Sequence, residues 1–203
     1  MKSKVAGIIL IAGSLYYIMA EAVCAAFFND SFLNTYLFYT ISELGIPNSM
    51  SPLSWLMNSA FILIGLVLIF VNFYRFKDYI IKNKVLFYIL TIVTSLGVII
   101  VGLIHGGNPL TSGYHTLGAV MAILGGNILL TVISKSMAEF EAYQVTTLIL
   151  GVLGLIAFWI LFFNMQSIYM PVFERISVYT LIVWSFLTGV CLVKIQNFKI
   201  HFP

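Results

Sequence analysis

The sequence predicts an all-α, polytopic membrane protein of six transmembrane helices, and three observations carry that prediction. Hydrophobic residues make up 61% of the chain and charged ones 8%, with a mean hydropathy of +1.06, whereas soluble domains carry roughly 25% charged residues. So few charges do not cover a water-facing surface, and lipid must be the solvent for much of the chain. The apolar residues also fall into six runs, none interrupted by lysine or arginine, close to the roughly 20 residues that a spanning helix needs. Finally, the basic residues sort to one side of those runs.

The first run is Val5–Phe28. Its opening, Met1-Lys2-Ser3-Lys4, has the look of a signal peptide, and Glu21-Ala22-Val23-Cys24-Ala25 that of a lipoprotein cleavage site. An acidic residue inside the run and the bulk of Val23 argue for a retained first span. The further runs are Pro52–Tyr74, Val85–Ile104, Gly113–Ile133, Thr146–Phe163 and Ile176–Val193. Six spans return the chain to its starting side. Of the ten lysines and arginines, Lys2, Lys4, Arg75, Lys77, Lys82, Lys84, Lys135, Lys194 and Lys199 fall at the termini or in the second and fourth loops, leaving only Arg175 opposite. By the positive-inside bias, both termini are expected in the cytoplasm and the protein in the cell membrane. We expect one domain over residues 1–203, with no internal repeat.

The loops of the other side differ in kind. The first, Asn29–Ser51, has no lysine or arginine. Its portion Phe32–Leu44, with Phe32, Tyr36, Phe38 and Tyr39, reads as an amphipathic segment in the headgroup region. Gly45-Ile46-Pro47-Asn48 ends it, and Ser51-Pro52 reads as a serine cap with proline in the first turn of the second span. The third loop, His105-Gly106-Gly107-Asn108-Pro109, is a tight breaker. Gly118, Ala122 and Gly126 give the fourth span a small-residue face for close helix contact, and Gly151 and Gly154 suggest the same in the fifth. Cys24 and Cys191 sit near opposite ends of their spans, too far apart for a disulfide.

Candidate chemistry gathers toward the face opposite the termini. His105 and His115, two of only three histidines, bracket the third loop and titrate near neutrality. They suit an acid–base pair, or two ligands of one metal completed by Glu43 or Glu174. Their spacing matches no short zinc motif, and each equally suits a structural role capping a helix or bonding a loop carbonyl. Glu21, ionisable inside a span, is a functional candidate, or else ties the first span to the second through Asn58. Tyr17 and Cys24 lie on the same helical face. Glu174 reads as a carboxylate at a helix start. Arg175 pairs with Glu43, Glu174 or Asp30, or holds a lipid phosphate or carboxylate bidentately. Asn127 and Trp184 read as interhelical contacts, and His201 as solvated tail. No nucleic-acid patch, phosphate loop, Cys-x-x-Cys pair or nucleophile elbow appears, and no cofactor is named by the sequence.

Ile41-Ser42-Glu43-Leu44-Gly45, then Ser51-Pro52-Leu53 leading to Asn58-Ser59-Ala60-Phe61-Ile62 and Gly65, resemble the first half of the family known as domain of unknown function 998. Gly113-Tyr114-His115 with Gly118-Ala119 resembles its histidine segment, and Glu174-Arg175-Ile176 with Tyr179, Trp184 and Gly189 its closing segment. The resemblance implies six helices and marks Ser42, Glu43, Asn58, His115, Glu174 and Arg175 as positions that matter. It departs at Ile104-His105, where the family pattern has Phe-Pro, which sets His105 apart. The family supplies no reaction. Three functions are therefore open. The leading one is an enzyme acting on a lipid or lipid-linked substrate. In it Glu43 and His115 (with His105) do acid–base or metal-assisted chemistry, Arg175 and Glu174 hold a headgroup, and Glu21 with Asn58 lines the floor. The others are a carrier or binding protein for a lipid or small amphiphile, and an accessory subunit docking a protein partner.

Overall fold

A computed structural model describes residues 2–137 and 141–194; Lys199 and His201 lie outside them. Six helices are long and apolar enough to cross a membrane: α1 (Lys2–Ala26), α4 (Ser54–Tyr74), α5 (Lys84–Leu103), α6 (Ser112–Ser136), α7 (Glu141–Phe163) and α8 (Met170–Lys194). Two short helices, α2 (Phe32–Phe38) and α3 (Ile41–Leu44), fill the first loop. Each spanning helix packs on its sequence neighbours, and α8 closes on α1, so the bundle is a ring in chain order. Gly7 abuts Gly189 and Val193, which puts the start of α1 beside the end of α8. Large apolar side chains stand exposed around the ring, among them Ile8, Leu66, Ile89, Leu117, Ile149 and Leu187. Such an outer surface belongs in lipid.

Close approach between helices comes from the small residues. Gly97 of α5 meets the α6 backbone at Gly118 and Ala122, so tightly that an added Cβ would lie 2.5 Å from the Ala122 nitrogen. Deeper in the bundle, Asn127 ties α6 to α8. Its Nδ2 donates to the carbonyls of Ile123 (2.8 Å) and Ser177 (3.0 Å), and its Oδ1 accepts from Thr180 Oγ1 at 2.7 Å. Trp184 is buried edge-on to Phe76, ring centroids 5.6 Å apart. Asn127 is thus an interhelical contact, as the sequence predicts, whereas Trp184 packs on the short turn that follows α4. Near the termini, Arg75 donates to Ser3 Oγ and Tyr79 Oη and pairs with Asp78.

Three local readings change. α8 begins at Met170 rather than Ile176, because Pro171 is tolerated in a first turn, where its missing amide costs no hydrogen bond. Glu174 and Arg175 therefore sit inside the helix instead of opening it. Ser51 does not cap α4, which starts at Ser54 with no side-chain cap; its hydroxyl donates instead to the Leu44 carbonyl at 2.6 Å and holds the end of α3. The segment expected at the headgroups is two helices split by extended backbone at Tyr39 and Thr40. α2 exposes Phe32, Leu33, Leu37 and Phe38, whereas α3 lies over the bundle with Ile41 and Leu44 buried.

Candidate functional site

α3 is a single turn, too short to persist without help, and several side chains besides Ser51 fasten it. Thr40 caps it and forms a reciprocal box with Glu43: Thr40 Oγ1 accepts from the Glu43 amide (3.1 Å), while Glu43 Oε2 accepts from the Thr40 amide (2.6 Å) and hydroxyl (2.9 Å). Glu174, reaching across from α8, accepts from the Ile41 amide at Oε2 (2.7 Å) and from Ser42 Oγ at Oε1 (3.1 Å). At the far end, Asn58 Nδ2 donates to the Gly45 carbonyl at 2.8 Å. A Cβ at position 45 would lie 2.4 Å from Asn58 Oδ1, so a larger residue there would displace the Asn58 side chain from this bond.

Beneath and beside α3 opens a groove of about 370 Å³. Its polar lining is Thr40, Ser42, Glu43, Ser112, His115, Thr116 and Glu174. Its apolar wall comes mainly from α7 and the following turn, with Phe158, Leu161, Phe162 and Met165. Ser42, Ala119, Ile123 and Glu174 are shared with a smaller inner cavity of about 50 Å³, which runs in among Tyr17, Phe61, Val98 and Leu181. The His115 ring is fixed at one nitrogen, for Nδ1 lies 2.6 Å from the Ile104 carbonyl. A carbonyl only accepts, so Nδ1 carries the proton and Nε2 of the neutral ring keeps its lone pair.

Adjacent residues on a helix point about 100° apart, and α8 uses that to separate two jobs. Glu174 faces α3 and the groove, while Arg175 faces α1. Arg175 Nε donates to Glu21 Oε1 at 2.9 Å, Nη1 donates to the Tyr39 carbonyl at 2.6 Å, and the guanidinium stacks 4.9 Å from the Tyr36 ring centroid. Tyr179 donates to the other Glu21 oxygen at 2.8 Å. Burial raises the Tyr36 phenol above its ordinary range, which keeps it uncharged beside this pair. Asp30, just outside α2, is held below the usual carboxylate range by the Ser31 amide and the Asn34 side chain.

The sequence-predicted residues thus divide. Ser42, Glu43, His115 and Glu174 line one groove. Arg175 is paired, but with Glu21 rather than Glu43, Glu174 or Asp30, because its position on α8 turns it toward α1. Glu21 accordingly ties the first span to the last, and not to the second through Asn58. Neither Asn58 nor Glu21 lines the groove floor, and Arg175 lines neither cavity. His105 is also outside the groove lining: α5 ends at Leu103 and Ile104 is extended, so His105 follows in the breaker turn. Among the described residues, no three of His, Cys, Asp and Glu converge as a metal set, so the two histidines do not form one with Glu43 or Glu174. Sequence reasoning passed over Thr40, and it named Tyr179 only within the family's closing segment, without a partner. Thr40-x-x-Glu43 is a readable capping box, and Tyr179 is one turn past Arg175 on the same face.

The profile of a family described as Protein of unknown function (DUF998) matches residues 10–191. The chain belongs to the DUF998 family. No curated protein and no solved structure matches it. The match runs from α1 into α8, so the groove of this DUF998 protein and its Glu21–Arg175 pair both lie inside the family region.

Proposed function

We propose that this DUF998 protein binds a lipid or lipid-linked amphiphile in the groove under α3 and acts on its head by acid–base chemistry. The single observation that carries this reading is the lining itself. Ser42, Glu43, His115 and Glu174 meet in one opening against an apolar wall of Phe158, Leu161 and Phe162. Polar groups facing an apolar wall match an amphiphile, and binding sites generally combine a mostly apolar lining with a few placed polar groups. His115 Nε2 is the proton acceptor, oriented by the Ile104 carbonyl. Arg175 has no part in holding the head, because Glu21 already neutralises it. The distribution of basic residues orients the groove toward the extracytoplasmic leaflet of the cell membrane, with both termini cytoplasmic.

The test begins with protein extracted in a mild non-ionic detergent and weighed intact by native mass spectrometry. The wild type is expected to retain an amphiphile that Ala119→Phe, which fills the junction of the two cavities, excludes. Extracted membrane lipids are then incubated with the protein and followed for turnover. His115→Gln should lower that turnover by about 100-fold or more, the usual weight of a general base. A wild type and an Ala119→Phe variant with equal retention would reject the binding site. Equal turnover by wild type and His115→Gln would reject the acid–base role.

A further inference from the structure

We infer that the groove selects an amphiphile with a cationic amine head over one with a phosphate or carboxylate, an assignment that rests on the binding reading above. Among the described residues, the groove lining contains two carboxylates, Glu43 and Glu174, and neither a lysine nor an arginine. Arg175 is the nearest cation along the chain, and it is turned away: its Nε and Nη1 go to Glu21 and the Tyr39 carbonyl, its face to Tyr36, and its buried Nη2, without a partner among the described residues, lines neither cavity. The loops at this end, residues 29–51, 105–111 and 164–169, contain no basic residue other than the histidine His105. An anionic head would therefore enter a negative site with no counter-charge.

The carboxylates also have capacity left. Glu43 uses Oε2 for the α3 cap, and among the described residues no hydrogen bond reaches its Oε1. Glu174 is held only by uncharged donors, the Ile41 amide and Ser42 hydroxyl. An ammonium would supply the missing opposite charge and donate to acceptors that still have lone pairs. A second and independent sign of a polar guest comes from the inner cavity. Tyr17 lines it, 1% exposed, and its hydroxyl has no partner among the described residues. Buried polar groups are rarely left unsatisfied, and this one borders the chamber that shares Ser42 and Glu174 with the groove. An ammonium can also donate a hydrogen bond to the free Nε2 of His115.

The experiment compares dodecylamine, dodecanol and dodecyl phosphate as ligands of the purified full chain in non-ionic detergent, read as a saturable rise in melting temperature. Glu43→Gln is the matched variant, because glutamine still completes a capping box while removing the charge. Dodecylamine is expected to stabilise the wild type saturably and to bind Glu43→Gln about tenfold more weakly, the scale of one lost charged hydrogen bond. Dodecyl phosphate should have no such effect. If the phosphate or the alcohol matches the amine, or Glu43→Gln binds the amine as well as the wild type does, the amine assignment is overturned while the amphiphile site stands. If none of the three stabilises the wild type, the site itself is overturned.

Discussion

Arg175→Met is expected to destabilise the protein by about 3–5 kcal/mol, the cost of leaving one member of a buried ion pair without its partner. Glu21 is fully buried, and Arg175 is its only salt-bridge partner among the described residues. The same substitution frees the Tyr39 carbonyl and the Tyr36 ring, so α2 also loses its anchor on α8. Removing both charges in Glu21→Leu/Arg175→Met should recover most of the loss, since a buried pair replaced by apolar groups is often neutral. Unfolding in mixed micelles with increasing denaturing detergent reads the difference. A single variant as stable as the wild type, or a double variant no better than the single, would contradict the assignment of this pair as a structural lock.

Glu174→Ala is expected to release α3 with a smaller global cost, roughly 2–3 kcal/mol, for two hydrogen bonds to a buried carboxyl. The effect should be local. Amide exchange at Ile41 to Leu44 should speed up well beyond that of the spanning helices, because the Ile41 amide loses the oxygen 2.7 Å away. Glu174→Gln keeps one acceptor oxygen and should fall between alanine and wild type. Retention of a groove ligand should decline with α3 order, since Thr40, Ser42 and Glu43 line the groove from that turn. Unchanged exchange at α3 in Glu174→Ala would show that the turn is held by something else.

The two variants illustrate how far the sequence was legible. Spans and their number follow from solvation alone: a helix in lipid must be apolar over a fixed length, so the six runs are visible without any tertiary information. Small-residue faces such as Gly118-Ala122-Gly126 were readable for the same reason, since backbone contact needs missing side chains. Site residues were readable as types but not as partners. Glu174 and Arg175 are neighbours in sequence, yet the helix turns one to the groove and the other to α1. No residue pattern within α8 alone reveals that Glu21 is the partner, because that depends on the ring closing α8 onto α1. The start of α8 ahead of the sixth apolar run is not visible in hydropathy alone, since Pro171 and the charged Glu174 and Arg175 sit in its first turns.

The measurement closest to the central claim is photolabelling with a long-chain amphiphile that carries a diazirine at mid-chain, followed by peptide mapping. Occupation of the groove predicts adducts concentrated on Phe158, Leu161, Phe162 and Met165, displaced by an unlabelled competitor and lost in Ala119→Phe. Adducts spread evenly over lipid-facing residues such as Ile8, Leu66 and Ile89, unaffected by competitor, would mean that the groove holds no amphiphile in preference to the bilayer.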